Sequence, residues 1–280
     1  MSDIATQNEL LGSTAYWTAA VRAGESARED RLFNDAWATA LAGPEGMAWL
    51  AQRTGDSVLP MVLRTRYFDD FLQQAAADEA VRQVVLMAAG LDTRAFRLPW
   101  PDGLQFFELD QAAILAYKEQ VMQAAAAHPA CQRHTIAADL TAVWEPDLIA
   151  AGFDVTRPSV WLLEGFLFYL PTETLTTLLD RVMALTAPGS YIGFDIINNL
   201  TLTSPLTKNW VDMQAKSGAP WQGALDDPQE FLAARGWQTT LVGFGGAEAN
   251  YGRWPFPSIP AAAPGMPHLW YVTAQKHRNK

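Results

Sequence analysis

Residues 84–110, VVLMAAGLDTRAFRLPWPDGLQFFELD, read as a buried strand, a tight turn at Gly90, a short helical stretch and a second strand that closes on acids. An uninterrupted apolar strand has both faces covered, the pattern of a parallel sheet flanked by helices. The same short apolar runs recur in RHTIAADL, SVWLLEG and SYIGFDII. Between them lie helical stretches, QAAILAYKEQVMQAAAA and TETLTTLLDRVMAL, the second entered through Pro171 and Thr172 and stopped by Pro188 and Gly189. Alternation of this kind predicts an α/β doubly wound sheet.

The flanks differ from this centre. From Ser13 to about Ala77 apolar residues recur at three- and four-residue spacing, which predicts several helices and no strand. Residues 1–80 are therefore expected to form an N-terminal helical cap on a core of residues 81–280. After Asn199 the polar segment LTSPLTKNWVDMQAKSGAPWQGALDD, with its two tryptophans, interrupts the alternation and is expected to form a lid at about 200–226. Helix PQEFLAARG follows, and WQTTLVGFG and HLWYVTAQK are expected to close the sheet as a strand pair.

Charge and cysteine content narrow the partners. A formal net charge of −10 opposes nonspecific binding to phosphate backbones, so nucleic acid is not expected as a partner. A single cysteine, Cys131, cannot form an internal disulfide, and no Cys/His cluster has metal-site spacing. The start, MSDIATQNELLG, lacks a basic and an apolar region, and SVWLLEGFLFYL is too short to cross a bilayer and is broken by Glu164. A soluble cytoplasmic protein, monomer or homodimer, is expected.

In an open parallel sheet the ligand sits beyond the carboxyl ends of the strands, so the turns there carry the chemistry. The first, AAGLDTR, has Gly90 for close backbone approach and Asp92 immediately after it. Dinucleotide folds place three glycines here to accommodate a pyrophosphate, and a single one counts against NAD or FAD. In the second turn Asp110 lies twenty residues after Gly90, the spacing at which an acid reaches a ribose diol, although Asp is equally good as a helix cap. Asp139, after the third strand, could accept from an adenine amino group or be a solvated loop carboxylate. Glu164 stands in an apolar run, where a carboxylate needs a partner: a ligand ammonium or an internal arginine. Ribose, adenine and ammonium together describe S-adenosylmethionine.

The motifs AAGLDTRAFRLPWPDGLQFFELDQ, AADL and LLEGFLFYLP, with VLRTRYFDDFL upstream and NYGRWP downstream, resemble the leucine carboxyl methyltransferase family of S-adenosylmethionine-dependent O-methyltransferases, which has bacterial polyketide and small-molecule members. The resemblance runs in order from about residue 14 to residue 275. It implies a class I methyltransferase fold, a Rossmann-like sheet of seven strands with the cap and inserted lid. It further implies that Arg64 binds the cofactor carboxylate, Gly90 passes under the methionine portion, Asp110 holds the ribose, Asp139 and Leu140 flank the adenine, and Glu164 takes the amino group. Asp92 matches the family's turn acid. Tyr169, Tyr251 and Arg253 fall at substrate-side, catalytic positions. Ala88 stands where eukaryotic members have a second glycine.

The expected acceptor is a small molecule. Methyl transfer displaces a sulfonium, a strong leaving group, so positioning supplies much of the catalysis. A carboxylate is already ionised at neutral pH, whereas a phenol benefits from a base. None of the four histidines, His128, His134, His268 and His277, lies in a turn facing the cofactor, which favours a carboxylate. Trp17, Trp37 and Trp49 read as core residues of amphipathic helices, while Trp210 and Trp221 could line a pocket or pack within the lid. The alternatives are a phenol methyltransferase, an NAD-dependent oxidoreductase and a non-catalytic cofactor-binding protein.

Overall fold

The computed structural model describes residues 2–53 and 55–278, with side chains described from residue 14 onward except at 54–56. The leader reading of the first twelve residues therefore rests on side chains outside the described residues. Three helices come first: α1 (Ser2–Ser26), α2 (Ala38–Ala51) and α3 (Gly55–Ala76). Strands and helices then alternate: β1 (Gln83–Met87), α4 (Arg94–Arg97), β2 (Gln105–Asp110), α5 (Ala112–Ala124), β3 (Gln132–Ala137), α6 (Glu145–Ala150), β4 (Val160–Leu163), α7 (Thr172–Ala184) and β5 (Tyr191–Ile197). Two short helices, α8 (Asn199–Thr203) and α9 (Lys208–Lys216), occupy the polar segment after β5. Helix α10 (Pro228–Ala233) leads into β6 (Trp237–Gly243) and β7 (Leu269–Lys276). Among the described residues no helix is long and apolar enough to cross a membrane.

The seven strands lie in the order β3-β2-β1-β4-β5-β7-β6. The first five are parallel, and β7 runs antiparallel to both β5 and β6. Burial follows position: every residue of β1 and β4 is buried, whereas in β3, at the edge, only Ile136 is. One face of the sheet packs Val85, Phe107, Trp161 and Phe194 against α7 and the residues around α6. The other packs Val84, Phe106 and Leu162 against α3 through Phe68, Phe71 and Leu72. Each such side chain contributes roughly 1.5–3 kcal/mol on full burial. Close approach of α3 depends on Gly193, because a Cβ there would sit 2.6 Å from the Phe71 ring. The strand order reverses between β1 and β4, and the crevice at a reversal is where open α/β sheets bind ligands.

Candidate active site

Strand register assembles the site. Met87 is level with Leu109 on β2 and Leu163 on β4, and Leu163 with Phe194 on β5. One residue further on, Ala88, Asp110, Glu164 and Asp195 form a row across the carboxyl edge. The chain turns sharply after β1, with both Ala88 and Gly90 at φ 50°. Glycine adopts that left-handed conformation freely, while an alanine does so at a cost of about 1–2 kcal/mol. The turn is fixed by Asp110, whose Oδ2 accepts from Gly90 N–H and whose Oδ1 accepts from Gln111 N–H, both at 2.6 Å. The N-cap of α5 is Gln111, without a side-chain cap bond, so Asp110 joins two strand ends and does not occupy the helix N-cap. Its burial raises the carboxyl pKa, against the pull of these two N–H groups.

Charges at this edge are extensively paired. Glu164 Oε1 accepts from Arg64 Nε at 3.0 Å, and Arg64 Nη1 donates to Asp195 Oδ2 at 2.9 Å. Asp195 Oδ1 takes the Gly165 N–H at 2.6 Å, which fixes the turn after β4. Arg94 lies 2.7 Å from each of Glu164, Asp92 and Asp69 and is almost fully buried. Burial alone would disfavour both guanidinium ions, but the surrounding carboxylates outweigh it and raise both pKa values. Burial likewise works against ionised Asp92, and Arg94 overcomes it to hold that carboxyl below its usual range. Internal arginines therefore partner Glu164, and its buried Oε2, though ion-paired with Arg94 Nη1 at 2.7 Å, accepts no hydrogen bond of good geometry. That oxygen, together with the Gly90–Asp110 junction, fits an amino-acid end and a ribose.

Two cavities beside the row accommodate the expected cofactor residues. The first is lined by Arg64, Ala88, Gly90, Asp92, Asp110 and Glu164. The second shares Ala88 and Asp110 with it and adds Asp139 and Leu140. Asp139 is exposed, and its Oδ1 accepts from the Thr141 N–H and hydroxyl. A third cavity, of about 250 Å³, is rich in aromatic side chains and meets the first along Thr14, Thr18, Met61, Arg64, Gly165 and Tyr169. Tyr169 borders all three. Burial raises the pKa of its phenol, with Arg64 acting in the opposite direction.

A family model described as leucine carboxyl methyltransferase matches residues 15–183. The chain belongs to the leucine carboxyl methyltransferase family. Among its relatives, a Mycolicibacterium gilvum protein is 37% identical over 94% of each chain, and a Parafrankia protein is 39% identical over 95% of this chain and 87% of its own. Both are assigned as S-adenosyl-L-methionine-dependent methyltransferases. Solved structures agree on the fold. A DUF574 family protein from Streptomyces avermitilis superposes with a TM-score of 0.57 at 15% identity, over 92% of this chain and 96% of its own. Magnesium protoporphyrin IX methyltransferase from Synechocystis, crystallised with S-adenosylhomocysteine, gives 0.51 at 13%, over 83% and 94%. The sheet is that of a class I methyltransferase, and the protein is an S-adenosylmethionine-dependent methyltransferase.

Within this family member, Tyr251 and Arg253 are not brought to the cavities. Tyr251, at φ 49°, donates its hydroxyl to Asp70 Oδ2 at 2.9 Å. Arg253 donates to the Asp30 carbonyl and lies 3.5 Å from Glu25. Both contacts tie the β6–β7 connection to the N-terminal helices. Trp37 packs on Phe96 as expected of a core residue, but Trp17 and Trp49 line the aromatic cavity, as do Trp210 and Trp221. Arg94 and Asp195 are site residues that the sequence reading passed over. Asp195 interrupts an apolar strand as Glu164 does, so the same cue pointed to it.

Proposed function

We propose that the protein is an O-methyltransferase that converts a carboxylate of a small natural product to its methyl ester. The observation that carries this reading is the absence of a base where the cavities meet. No histidine lines the three cavities among the described residues, and burial holds the phenols of Tyr169 and Tyr271 protonated at neutral pH. Asp92, Glu164 and Asp195 are engaged by arginines. An acceptor held where the aromatic and cofactor-side cavities meet finds no histidine and no carboxylate on that rim among the described residues to take a proton, whereas a carboxylate arrives ionised.

In this reading Asp110 would accept from the ribose hydroxyls, Asp139 and Leu140 would border the adenine, and Glu164 Oε2 would accept from the ammonium. Arg64 would meet the cofactor carboxylate, with Ala88, Gly90 and Asp92 shaping the turn beneath. Bound S-adenosylmethionine supplies a methyl group activated by its sulfonium. The chain then has to orient the acceptor oxygen, keep water out and offer the Tyr169 hydroxyl as a hydrogen-bond donor. Residues 1–80 would serve as a cap and about 200–226 as a lid over the aromatic cavity, in a cytoplasmic enzyme. The test uses S-adenosylmethionine labelled in its methyl group with a panel of aromatic and aliphatic acids and phenols. A labelled product that releases methanol in mild alkali is expected; an alkali-stable ether would overturn the ester reading in favour of a phenol.

A further inference from the structure

We propose that the methyl acceptor is a flat aromatic molecule carrying a second anionic group at the end remote from the methylated oxygen, and that Arg53 binds this group. The inference rests on the methyltransferase reading above. The reacting oxygen must lie where the aromatic and cofactor-side cavities meet, at Arg64, Gly165 and Tyr169. Arg53 lines the aromatic cavity and not the cofactor-side one, so it stands off the rim where the two meet.

Four arginines line the two cavities, and three are neutralised inside the protein. Arg22 pairs with Asp35, Arg64 with Glu164 and Asp195, and Arg94 with Asp69, Asp92 and Glu164. Arg53 makes no ion pair among the described residues. Its Nη1 donates to the Trp49 carbonyl at 2.8 Å, and its guanidinium carbon lies 3.6 Å from the centre of the Trp49 ring. A guanidinium held by its face against an indole keeps its remaining N–H groups at the edge, in the planar fork that suits a carboxylate.

The walls select a flat body. Trp49 is stacked on Trp17 with ring centres 5.2 Å apart and planes 8° from parallel. Trp210 meets Trp221 edge to face at 4.7 Å. All four border the same cavity, so an acceptor there is surrounded by flat aromatic rings. An aliphatic acid would fill such a space without using that geometry.

The experiment is calorimetry on the full chain saturated with S-adenosylhomocysteine, so that no turnover occurs. Naphthalene-2,6-dicarboxylate, 2-naphthoate and the flexible dicarboxylate suberate are the probes. The naphthalene dicarboxylate should bind at least tenfold more tightly than either of the others. Arg53→Gln should abolish that advantage while leaving 2-naphthoate and S-adenosylhomocysteine affinities unchanged, and Arg53→Lys should restore part of it. The proposal is overturned if 2-naphthoate or suberate binds as well as the naphthalene dicarboxylate, if none of the three binds, or if Arg53→Gln keeps the preference. Failure of S-adenosylhomocysteine itself to bind would instead remove the methyltransferase reading on which the proposal stands.

Discussion

At the scale of single residues, Asp110 and Glu164 share a row but differ in what surrounds them, and their variants should differ accordingly. Asp110 holds two N–H groups and no cation. Asp110→Ala should fold, lose about 1–3 kcal/mol of stability as the Gly90 and Gln111 N–H groups lose their acceptor, and bind S-adenosylmethionine at least tenfold more weakly by calorimetry. Retained affinity would remove Asp110 from the ribose site. Glu164 sits between Arg64 and a nearly fully buried Arg94. Removing one charge from a buried pair costs about 3–5 kcal/mol when the partner is left uncompensated. Here Asp195, Asp92 and Asp69 still flank the two arginines, so Glu164→Gln should lose about 1–3 kcal/mol in urea unfolding as well as cofactor affinity. Full stability in that variant would show that the arginines do not need the charge. An acid inside an apolar run advertises that it has a partner, and the run alone does not say which one. The partner comes from α3 and α4, far away in sequence, and only the register and packing bring them together.

At the scale of elements, the parallel strands were legible because apolar runs of β-branched and aromatic residues have few other uses in a chain that alternates them with helices. The row at their carboxyl ends followed from that reading, since parallel strands in register end together. Helices α8 and α9 were not legible: they are five and nine residues long, too short for a repeating apolar pattern to stand out, and no residue of α9 is buried. Trp17 and Trp49 were read as core for the converse reason, because the face of a helix that lines a cavity has the same periodicity as one that lines a core. Tyr251 and Arg253, expected at the substrate, instead fasten a loop through contacts with α1, α3 and the turn after α1. The seating of α3 on the sheet can be tested at Gly193. Gly193→Ala should force the Phe71 ring aside, cost about 1–3 kcal/mol as overpacking does, and lower cofactor affinity because Arg64 rides on the same helix. Shortening the ring in a Gly193→Ala, Phe71→Leu double variant should recover much of both. Additive losses in the double variant would show that the two positions are independent.

At the scale of the whole molecule, two kinds of carboxylate respond to acid with opposite sign. Glu145, before the sheet-facing residues of α6, is held at a pKa of about 2 by its hydrogen bonds from Arg181 on α7, against an ordinary 4.5. A depressed value contributes stability above 4.5, and that contribution is lost as pH falls toward about 2. Asp110 and Asp195 have pKa values raised by burial, so their contribution runs the other way, fading as pH rises through the folded-state value. Glu145→Gln should therefore be less stable than the parent at pH 7, with the gap in urea midpoint closing below pH 4.5; a gap independent of pH would deny the Arg181 contact its role. The placement of β7 between β5 and β6 has a consequence for biosynthesis. Of the seven strands it leaves the ribosome last, yet it pairs along its length with both neighbours. Until residues 269–276 emerge, one edge of β5 is unpaired and β6 has no partner, and unpaired strand edges invite association with other chains. A nascent chain stalled before residue 269 should therefore be protease-sensitive around β6 and recruit holdase chaperones, and release of the final strand should end both within one cooperative step.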